Sequence, residues 1–333
     1  FIPPIVGIDS VDYLTNESIF NVTENIEHLI VVGSGAIGCE MAQSYIRLGS
    51  KVSIISNSVL LPREDSDMSN VVETQFRAEG IDLHFGAMIT EVEKTDTGIR
   101  IHIKDDDRQH TATIEGSHVL IATGRQSNID NLGLDKAGVK VENGHLLVDA
   151  RLRTSNKNIF ACGDVAGPYL FTHMAEHQAG IVLRNALFHL PAKSQTTGIP
   201  WCTFTSPELA RVGLSEREAL ESGVKHQVYT FPFSENDRAL AEGDSQGLAK
   251  IITTPKGKLL GACIVGPHAG ELIAEYVLAI SQGLNVSALS NTIHIYPTLA
   301  HINRRVADQR MKESLTPRRK RWIKRLFRLR GSH

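Results

Sequence analysis

A short segment after an apolar run has the residue types that bind a cofactor. Residues 159–161, Ile-Phe-Ala, are predicted to end a strand, and Cys162-Gly163-Asp164 follows directly. Gly163 lets the backbone approach a ligand closely, and the Asp164 carboxylate can accept hydrogen bonds from hydroxyl groups. Such a site normally has a glycine-rich partner loop for the phosphates of the ligand. The sequence therefore predicts a second, phosphate-binding element.

The sequence GSGAIG at residues 33–38 is the candidate for that element. It follows the apolar run 28–32 and leads into a helix predicted over 36–48. A strand, a glycine-rich turn and a helix in this order are typical of dinucleotide-binding units. The backbone N–H groups at Ala36 and Ile37, in the first helical turn, would face the phosphates.

Each glycine of this loop has a distinct predicted role. Gly33 permits the tight turn, Gly35 lets the pyrophosphate come close to the backbone, and Gly38 allows the helix to pack closely on the strand. A chance turn is the alternative, but the position within a strand–helix–strand unit favours dinucleotide binding.

The end of the next strand, predicted over 51–55, indicates which nucleotide is preferred. Enzymes that use NAD place an acid there for the ribose hydroxyls. This chain has Ser56 and Asn57 instead, with Arg63 nearby. No carboxylate would repel a 2′-phosphate and one Arg could attract it, so the loop favours NADP(H); a permissive loop that accepts either nucleotide is the alternative.

The order of the predicted elements indicates an α/β, Rossmann-like domain followed by an α+β domain. A polar linker at 192–199, between two prolines, marks the boundary. Strands are predicted over 28–32, 51–55, 81–84 and 119–122, a β-meander over 88–115, and helices over 36–48, 66–78, 173–189, 270–283 and 299–312.

Composition excludes several classes of protein. The 333 residues carry a net charge of −2, so no global basic field points to nucleic acid. No apolar run reaches the 18 residues of a membrane-spanning helix. The four cysteines show no CxxC or CxxxxC spacing, which indicates buried, reduced thiols in a cytoplasmic protein.

Two histidines on the predicted helix 173–189 raise the question of a metal site. His173 and His177 are four residues apart, as in some zinc sites, but no third ligand is evident and Glu176 is not placed as in HExxH. We therefore predict no metal. A helix N-terminus presented to a cofactor is the favoured interpretation.

The C-terminal segment 314–333 is predicted to be a basic amphipathic tail. Five apolar residues share roughly one helical face: Trp322, Ile323, Leu326, Phe327 and Leu329. Arg and Lys residues fill the opposite face. Two interpretations are open: peripheral contact with an anionic membrane or a partner, or packing of the apolar face on the protein's own dimer.

Five motifs in a fixed order resemble those of the flavin-dependent pyridine nucleotide-disulfide oxidoreductases, the family of dihydrolipoamide dehydrogenase and mercuric reductase. The resemblance extends from residue 1 to about residue 313. The motifs are GSGAIGCE (33–40), ATGR (122–125), CGDV (162–165), FTSPELARVG (204–213) and YPT (296–298).

The resemblance implies FAD and NAD(P)H as cofactors and a chain that is part of a longer polypeptide. In this family a preceding segment carries a second GxGxxG and the CxxxxC redox disulfide, so we expect this chain alone to bind no stoichiometric FAD. The implied domains are a linker (1–25), an NAD(P)-binding domain (26–122), the second part of an FAD-binding domain (123–195), a dimerisation domain (200–313) and the tail (314–333).

The family's cofactor residues match positions of this chain. On the flavin side, Gly163 and Asp164 match the second FAD motif, with Asp164 on the ribityl hydroxyls. The helix start below the flavin matches Thr172, His173, Met174 and Ala175. On the nicotinamide side, Glu40 matches a glutamate near the ring, and Gly124 with Arg125 matches the loop that closes over the cofactor.

The catalytic end departs from the family pattern. Members that act on dithiols have a His followed five residues later by a Glu, as an acid/base pair at the partner subunit's disulfide. Tyr296 occupies the His position here and His301 the Glu position. An unperturbed Tyr is a poor base at pH 7. His294 is the substitute candidate, on the same side of an extended segment as Tyr296, although it also fits an interface histidine.

The resemblance implies a homodimer built by residues 200–313. The helix predicted from Glu271 supports this with a broad apolar face, on which Tyr276 is expected at the subunit interface; its other members are Leu272, Ile273, Val277 and Ile280. The full protein is then a flavin-dependent oxidoreductase that passes electrons from NAD(P)H through FAD to a disulfide or related acceptor. The alternative is that this chain is a catalytically incomplete nucleotide-binding and dimerisation module.

Overall fold

A computed structural model describes residues 1–105 and 111–327. Within them, two five-stranded sheets are accompanied by two smaller ones. The strands are β1 (Tyr13–Leu14), β2 (His28–Val32), β3 (Lys51–Ser56), β4 (Asp82–Phe85), β5 (Ala87–Thr95), β6 (Gly98–Asp105), β7 (Thr111–Gly116), β8 (His118–Ile121), β9 (Val141–Glu142), β10 (His145–Leu146), β11 (Pro200–Thr203), β12 (Glu208–Gly213), β13 (Gln227–Pro232), β14 (Leu248–Thr253) and β15 (Leu259–Gly266). The helices are α1 (Ala36–Arg47), α2 (Ser66–Ala78), α3 (Thr172–Ala186), α4 (Glu216–Glu221), α5 (Asp237–Glu242), α6 (Ala269–Leu272), α7 (Ala274–Ser281), α8 (Ser287–Asn291), α9 (His301–Ser314) and α10 (Pro317–Leu326).

The first large sheet is parallel, in the order β1-β8-β2-β3-β4. Its central strand β2 is a continuous apolar run because both of its faces are covered. Leu29 and Val31 pack with α1 and α2, while Ile30 and Val32 pack with the meander β5–β7. The carboxyl end of β2 thereby brings residues 33–38 to the edge of the sheet, where doubly wound folds bind ligands.

The predicted α/β architecture is confirmed. The helix predicted over 66–78 has the bounds of α2, and the predicted β-meander is the antiparallel sheet β5-β6-β7. The C-terminal domain has an antiparallel sheet in the order β11-β12-β15-β14-β13, with helices beside it, as the α+β prediction requires. The helix predicted over 270–283 is divided into α6 and α7.

The strand predicted over 159–161 is absent from the described part of the chain. Phe160 forms only an isolated antiparallel bridge with Arg153. The surrounding residues fold into turns, such as the one closed by the Leu152 N–H and the Asp149 carbonyl, and the Ala161 N–H bonds to the Leu152 carbonyl next to the bridge. A strand needs a neighbour along its length, and these turns provide only one bridge. A turn of 3₁₀ helix over Gly163–Ala166 follows.

The prediction that Tyr276 lies on the dimer surface is wrong. Tyr276 is fully buried in the core of its own C-terminal domain, and its hydroxyl lies 3.4 Å from the Asn303 carbonyl oxygen. Ile273 and Ile280 join the same core. The apolar face of α7 therefore covers the domain's own antiparallel sheet, and a Tyr276→Glu variant would report on folding and not on dimerisation.

No helix in residues 1–105 and 111–327 is long and apolar enough to cross a membrane.

Candidate cofactor site

The turn after β2 requires two of its three glycines for steric reasons. Gly33 has φ +114°, and a Cβ atom there would lie 2.4 Å from the Ala122 carbonyl oxygen. A Cβ atom on Gly38 would lie 2.2 Å from the Gly33 carbonyl oxygen. Both distances are well below van der Waals contact, so any side chain at either position would force β2, β8 and α1 apart.

Gly35 differs from its two neighbours because the space beside it is open. A Cβ atom there would meet no heavy atom within 4 Å, and its φ of −77° suits any residue. The protein itself would therefore tolerate a side chain at position 35. A phosphate of a bound dinucleotide would fill the same space, and this explains why the position is a glycine.

The amino terminus of α1 supplies donors at that opening. Helix α1 begins at Ala36, and its N-cap residue Gly35 has no side chain to accept a hydrogen bond. The N–H groups of Ala36 and Ile37 therefore have no partner within the helix. With the helix dipole they favour an anion at this position.

Ser56, the last residue of β3, directs its side chain inward. The Ser56 hydroxyl lies 2.8 Å from the Ser34 hydroxyl and accepts a hydrogen bond from the Ser58 N–H at 3.2 Å. Ser56 is buried, whereas Asn57 and Arg63 are exposed. The exposed pair is therefore better placed than Ser56 to contact a ribose substituent.

Glu40 lies one turn into α1 and joins the two domains. Its carboxylate accepts a hydrogen bond from the Phe204 N–H at 2.9 Å. Burial raises the pKa of Glu40, and the Phe204 N–H acts in the opposite direction. A half-buried carboxyl group thus borders the nucleotide loop.

The residues predicted for the nicotinamide loop lie beside those predicted for the flavin. Gly124 is exposed, with φ +134°. The Arg125 guanidinium forms an ion pair with the Asp164 carboxylate at 2.8 Å and donates to the Leu170 carbonyl at 3.2 Å. Both partners of the ion pair are partly exposed, so it contributes at most about 1 kcal/mol to stability.

Gly163 rests on helix α3. Its φ is +76°, and a Cβ atom there would lie 3.3 Å from the Ala175 Cβ. The Gly163 N–H donates to the Gln178 side-chain oxygen at 2.7 Å. Helix α3 therefore fixes the backbone next to Asp164, on which the predicted flavin contact depends.

The start of α3 presents two side chains outward and one inward. Thr172 and His173 are exposed, Met174 is buried, and Ala175 is intermediate. The His173 Nε2 atom lies 2.9 Å from the Pro200 carbonyl oxygen, which ties α3 to the C-terminal domain.

His173 is thus engaged with backbone, and His177 is exposed. No group of three side chains suited to a metal occurs in the described ranges 1–105 and 111–327.

His294 and Tyr296, which were predicted to lie on the same side of their segment, differ in exposure. The Tyr296 side chain is 66% exposed, whereas that of His294 is 7% exposed. Alternation of side chains requires an extended strand, but the Thr298 hydroxyl bonds to the Ile295 carbonyl at 2.7 Å in a turn. The prediction that His294 and Tyr296 face the same side is wrong.

His294 is held by two acceptors from its own chain. Its Nε2 atom lies 3.0 Å from a Glu275 carboxylate oxygen, and its Nδ1 atom lies 3.0 Å from the Thr292 carbonyl oxygen. Both ring nitrogens therefore have partners, which leaves no free nitrogen for an external proton.

His301 lies against Tyr296, with ring centroids 6.1 Å apart in an edge-to-face arrangement. Burial, followed by the nearby charges of Arg305 and Arg304, lowers the pKa of His301. A hydrogen bond to Asp237 raises the pKa of Tyr296. At pH 7 this favours a neutral phenol beside a neutral imidazole at an exposed position.

Comparison with known families accounts for this arrangement. Residues 1–179 match the family described as pyridine nucleotide-disulphide oxidoreductase, and residues 199–306 match its dimerisation domain. The chain belongs to the pyridine nucleotide-disulphide oxidoreductase family. The family resemblance given by the five motifs is confirmed.

Individual members of this oxidoreductase family are similar over most of the chain. A mercuric reductase from Streptomyces lividans is 39% identical over 90% of this chain, and a dihydrolipoyl dehydrogenase from Chlamydia muridarum is 36% identical over 87%. The matched region spans 63% and 61% of those two proteins. The solved HOCl-induced flavoprotein disulfide reductase RclA from Escherichia coli superposes with a TM-score of 0.83 at 30% identity, covering 92% of this chain and 71% of that one.

Two polar residues of the candidate site were not predicted from the sequence. Gln178 anchors Gly163, and Ser34 connects the phosphate loop to Ser56. Gln178 is a buried polar residue in line with Met174, four positions earlier on α3. That break in the apolar stripe was the available signal, whereas nothing in the sequence distinguishes Ser34.

Proposed function

We propose that the whole protein is a flavin-dependent oxidoreductase that passes electrons from NAD(P)H through FAD to a disulfide or related acceptor. The observation that carries this proposal is the opening at Gly35, which is unfilled by protein and faces the unpartnered N–H groups of α1. Membership of the oxidoreductase family, in which this opening receives a pyridine nucleotide, supports it.

On the nicotinamide side, the backbone of Gly35, Ala36 and Ile37 would hold the pyrophosphate. Glu40 would lie near the nicotinamide, with its pKa raised by burial. Gly124 would allow its loop to approach the cofactor, because φ +134° and the open space beside it permit close contact.

On the flavin side, Asp164 would accept hydrogen bonds from the ribityl hydroxyls. FAD, when bound, supplies the chemistry that accepts a hydride and releases electrons to the acceptor. The first turn of α3, from Thr172 to Ala175, would direct its positive dipole end toward negative charge on the reduced ring. Arg125 would hold the Asp164 carboxylate in position through their ion pair.

At the acceptor end, we assign contact with the acceptor site to Tyr296, supported by His301. We assign to His294 the role of positioning this segment from inside. Tyr296 is exposed and His301 supports its ring. The His294–Glu275 pair fixes the same segment from inside. In a homodimer formed through residues 200–313, Tyr296 would serve the neighbouring subunit. The proposal also includes peripheral membrane contact by residues 314–333, of which 328–333, including Leu329, lie outside the described residues.

Replacing Arg63 with alanine is expected to weaken NADPH binding about tenfold and leave NADH binding unchanged. A charge-assisted contact to the 2′-phosphate would be lost, and NADH has no such phosphate. The dissociation constants are measured by quenching of protein fluorescence or by calorimetry. Arg77→Ala, which removes an exposed charge on α2, is the matched control. Equal weakening for both nucleotides would contradict a role in selecting the phosphate.

The proposed function is tested with the full-length gene product. We expect a yellow protein that oxidises NADPH or NADH in the presence of artificial electron acceptors. A panel of disulfides and metal ions, including mercuric ion, then identifies the acceptor. A full-length protein that binds no flavin, yet still binds nucleotide, would refute the enzyme and favour the nucleotide-binding module.

A further inference from the structure

Helix α10 is largely exposed; only Ile323 and Lys324 are partly covered. It begins after Thr316, whose hydroxyl accepts a hydrogen bond from the Arg319 N–H at 3.3 Å, and Pro317 occupies its first turn. None of its residues is buried. Helices of this length are marginal in water unless an apolar face is covered. The rest of the described chain leaves most of that face uncovered: Trp322, Leu326 and Phe327 are exposed.

The apolar residues of α10 and the residue after it lie on one arc. At 100° per residue, Trp322, Leu326, Ile323 and Phe327 fall within about 140°. Trp322 is 64% exposed and Phe327 is 65% exposed. Aromatic residues of this kind are enriched where a polar surface meets an apolar one, at the level of lipid headgroups.

The remaining surface of α10 is strongly basic. Arg318, Lys320, Arg321, Lys324 and Arg325 lie outside the arc, Arg319 lies within its angular range in the first turn, and residues 317–327 contain no acid. No carboxylate within the helix is therefore available for the pairs, four residues apart, that stabilise exposed charged helices. Arg318 and Arg319 also lie at the end where the helix dipole disfavours cations. An external anionic surface would offset both effects.

Charge is divided sharply between this tail and the rest of the chain. Residues 317–333 contain eight of the 35 Arg and Lys residues and no Asp or Glu, which leaves 27 bases against 37 acids in residues 1–316. The acidic body would itself be repelled by an anionic surface. By net charge, the tail is therefore the part of the chain that an anionic surface attracts, as expected for a segment that attaches a protein peripherally.

We propose that α10 binds the surface of an anionic lipid bilayer, with Trp322, Leu326 and Phe327 among the headgroups and the cations beside the lipid phosphates. This inference rests on the peripheral contact proposed above and is independent of the redox activity. A nucleic acid would satisfy the cations but would leave the apolar arc exposed. A lipid interface satisfies both faces.

The test is co-sedimentation of the 333-residue chain with vesicles of phosphatidylcholine containing 30% phosphatidylglycerol, and with pure phosphatidylcholine vesicles. We expect binding to the first and at least tenfold weaker binding to the second. Each basic residue near an anionic surface contributes roughly fivefold to partitioning. The double variant Arg321→Glu/Lys324→Glu should therefore bind more than about twentyfold more weakly.

The matched control is Lys136→Glu/Lys225→Glu, which makes the same change of charge at exposed positions of the body and should retain binding. Trp322 fluorescence should shift to shorter wavelength with anionic vesicles, and Trp322→Phe should abolish that shift, since Trp201 is the only other tryptophan. Binding to both vesicles alike would refute the anionic selectivity while preserving peripheral contact. No binding, equal loss in the control, or tail-dependent self-association without lipid would overturn the proposal.

Discussion

Replacing Lys250 with methionine is expected to lower the free energy of unfolding by about 3–5 kcal/mol, because breaking a buried ion pair leaves an uncompensated charge. Lys250 is only 2% exposed and lies on β14, between β15 and the edge strand β13. Its ammonium group lies 3.1 Å from Asp65, 2.9 Å from Asp67 and 2.6 Å from Glu216. Methionine has a similar length but cannot neutralise these carboxylates.

The same contacts join the two domains. Asp65 and Asp67 belong to the start of α2, whereas Lys250 lies on β14 and Glu216 begins α4. A second buried pair, Arg211 with Glu64 at 3.0 Å, lies beside this cluster. The loss of Lys250 therefore removes an ionic contact that fixes the N-terminal Rossmann-like domain on the C-terminal domain.

Urea unfolding followed by circular dichroism measures the effect on Lys250→Met. Arg238→Met is the control, because it breaks an exposed pair with Glu242 on α5 and should change stability by less than about 0.5 kcal/mol. If the two variants unfold at the same urea concentration, the buried cluster contributes no more than a surface pair and the assignment is wrong.

Acid should weaken the same cluster. Burial raises the pKa of Asp65, but hydrogen bonds from the Glu216 and Arg217 N–H groups and from Lys250 outweigh it, and the net pKa is lowered. A lowered folded-state pKa gives stability that is present above the unfolded value of about 3.9 and is lost as the pH falls through the folded value. Burial shifts the pKa of neighbouring Glu64 upward, so its contribution has the opposite sign.

Much of the architecture was accessible from local patterns. The run at 28–32, the amphipathic period of residues 66–78 and the alternation over 88–115 each depend on residues close in sequence, and each yielded the observed element. The glycine spacing at 33–38 likewise predicted a turn between a strand and a helix. The sequence predicts these elements because each is determined by residues that lie within a few positions of one another.

The predictions that were wrong concern features that depend on residues distant in sequence. The apolar run 159–161 has strand composition, but a ladder requires a neighbouring strand that its own sequence cannot supply. Tyr276 belongs to a correct helical face, yet periodicity does not distinguish a face that covers its own sheet from one that covers another subunit.

In the predicted site, too, positions set by neighbouring residues were predicted correctly, and orientations set by distant residues were not. Ser56 was located correctly at the end of β3, but its inward hydrogen bond depends on Ser34, 22 residues earlier. His294 was grouped with Tyr296 by alternation, whereas its Glu275 partner lies 19 residues away. Sequence spacing identifies which residues lie near a site, and tertiary contacts decide which way each side chain points.

The phosphate loop permits a test that separates folding from cofactor binding. Gly38→Ala is expected to lower the free energy of unfolding by about 3 kcal/mol, because the new Cβ would lie 2.2 Å from the Gly33 backbone oxygen and the backbone has little freedom to move. Gly35→Ala is expected to cost no more than about 1 kcal/mol, the usual loss when alanine occupies an N-cap. The added methyl group meets no protein atom within 4 Å.

Gly35→Ala, which should hardly change stability, is expected to weaken nucleotide binding strongly. If the opening at Gly35 receives the pyrophosphate, the methyl group occupies the space of a phosphate oxygen, and affinity for NADPH and NADH should fall together by at least about tenfold while the protein remains folded. Urea unfolding and calorimetric titration of the same preparations provide both measurements. A stable Gly35→Ala protein that binds both nucleotides as tightly as the unmodified chain would show that the ligand lies elsewhere. If Gly35→Ala loses nucleotide binding but keeps its stability, the opening at Gly35 must be the place where the ligand binds.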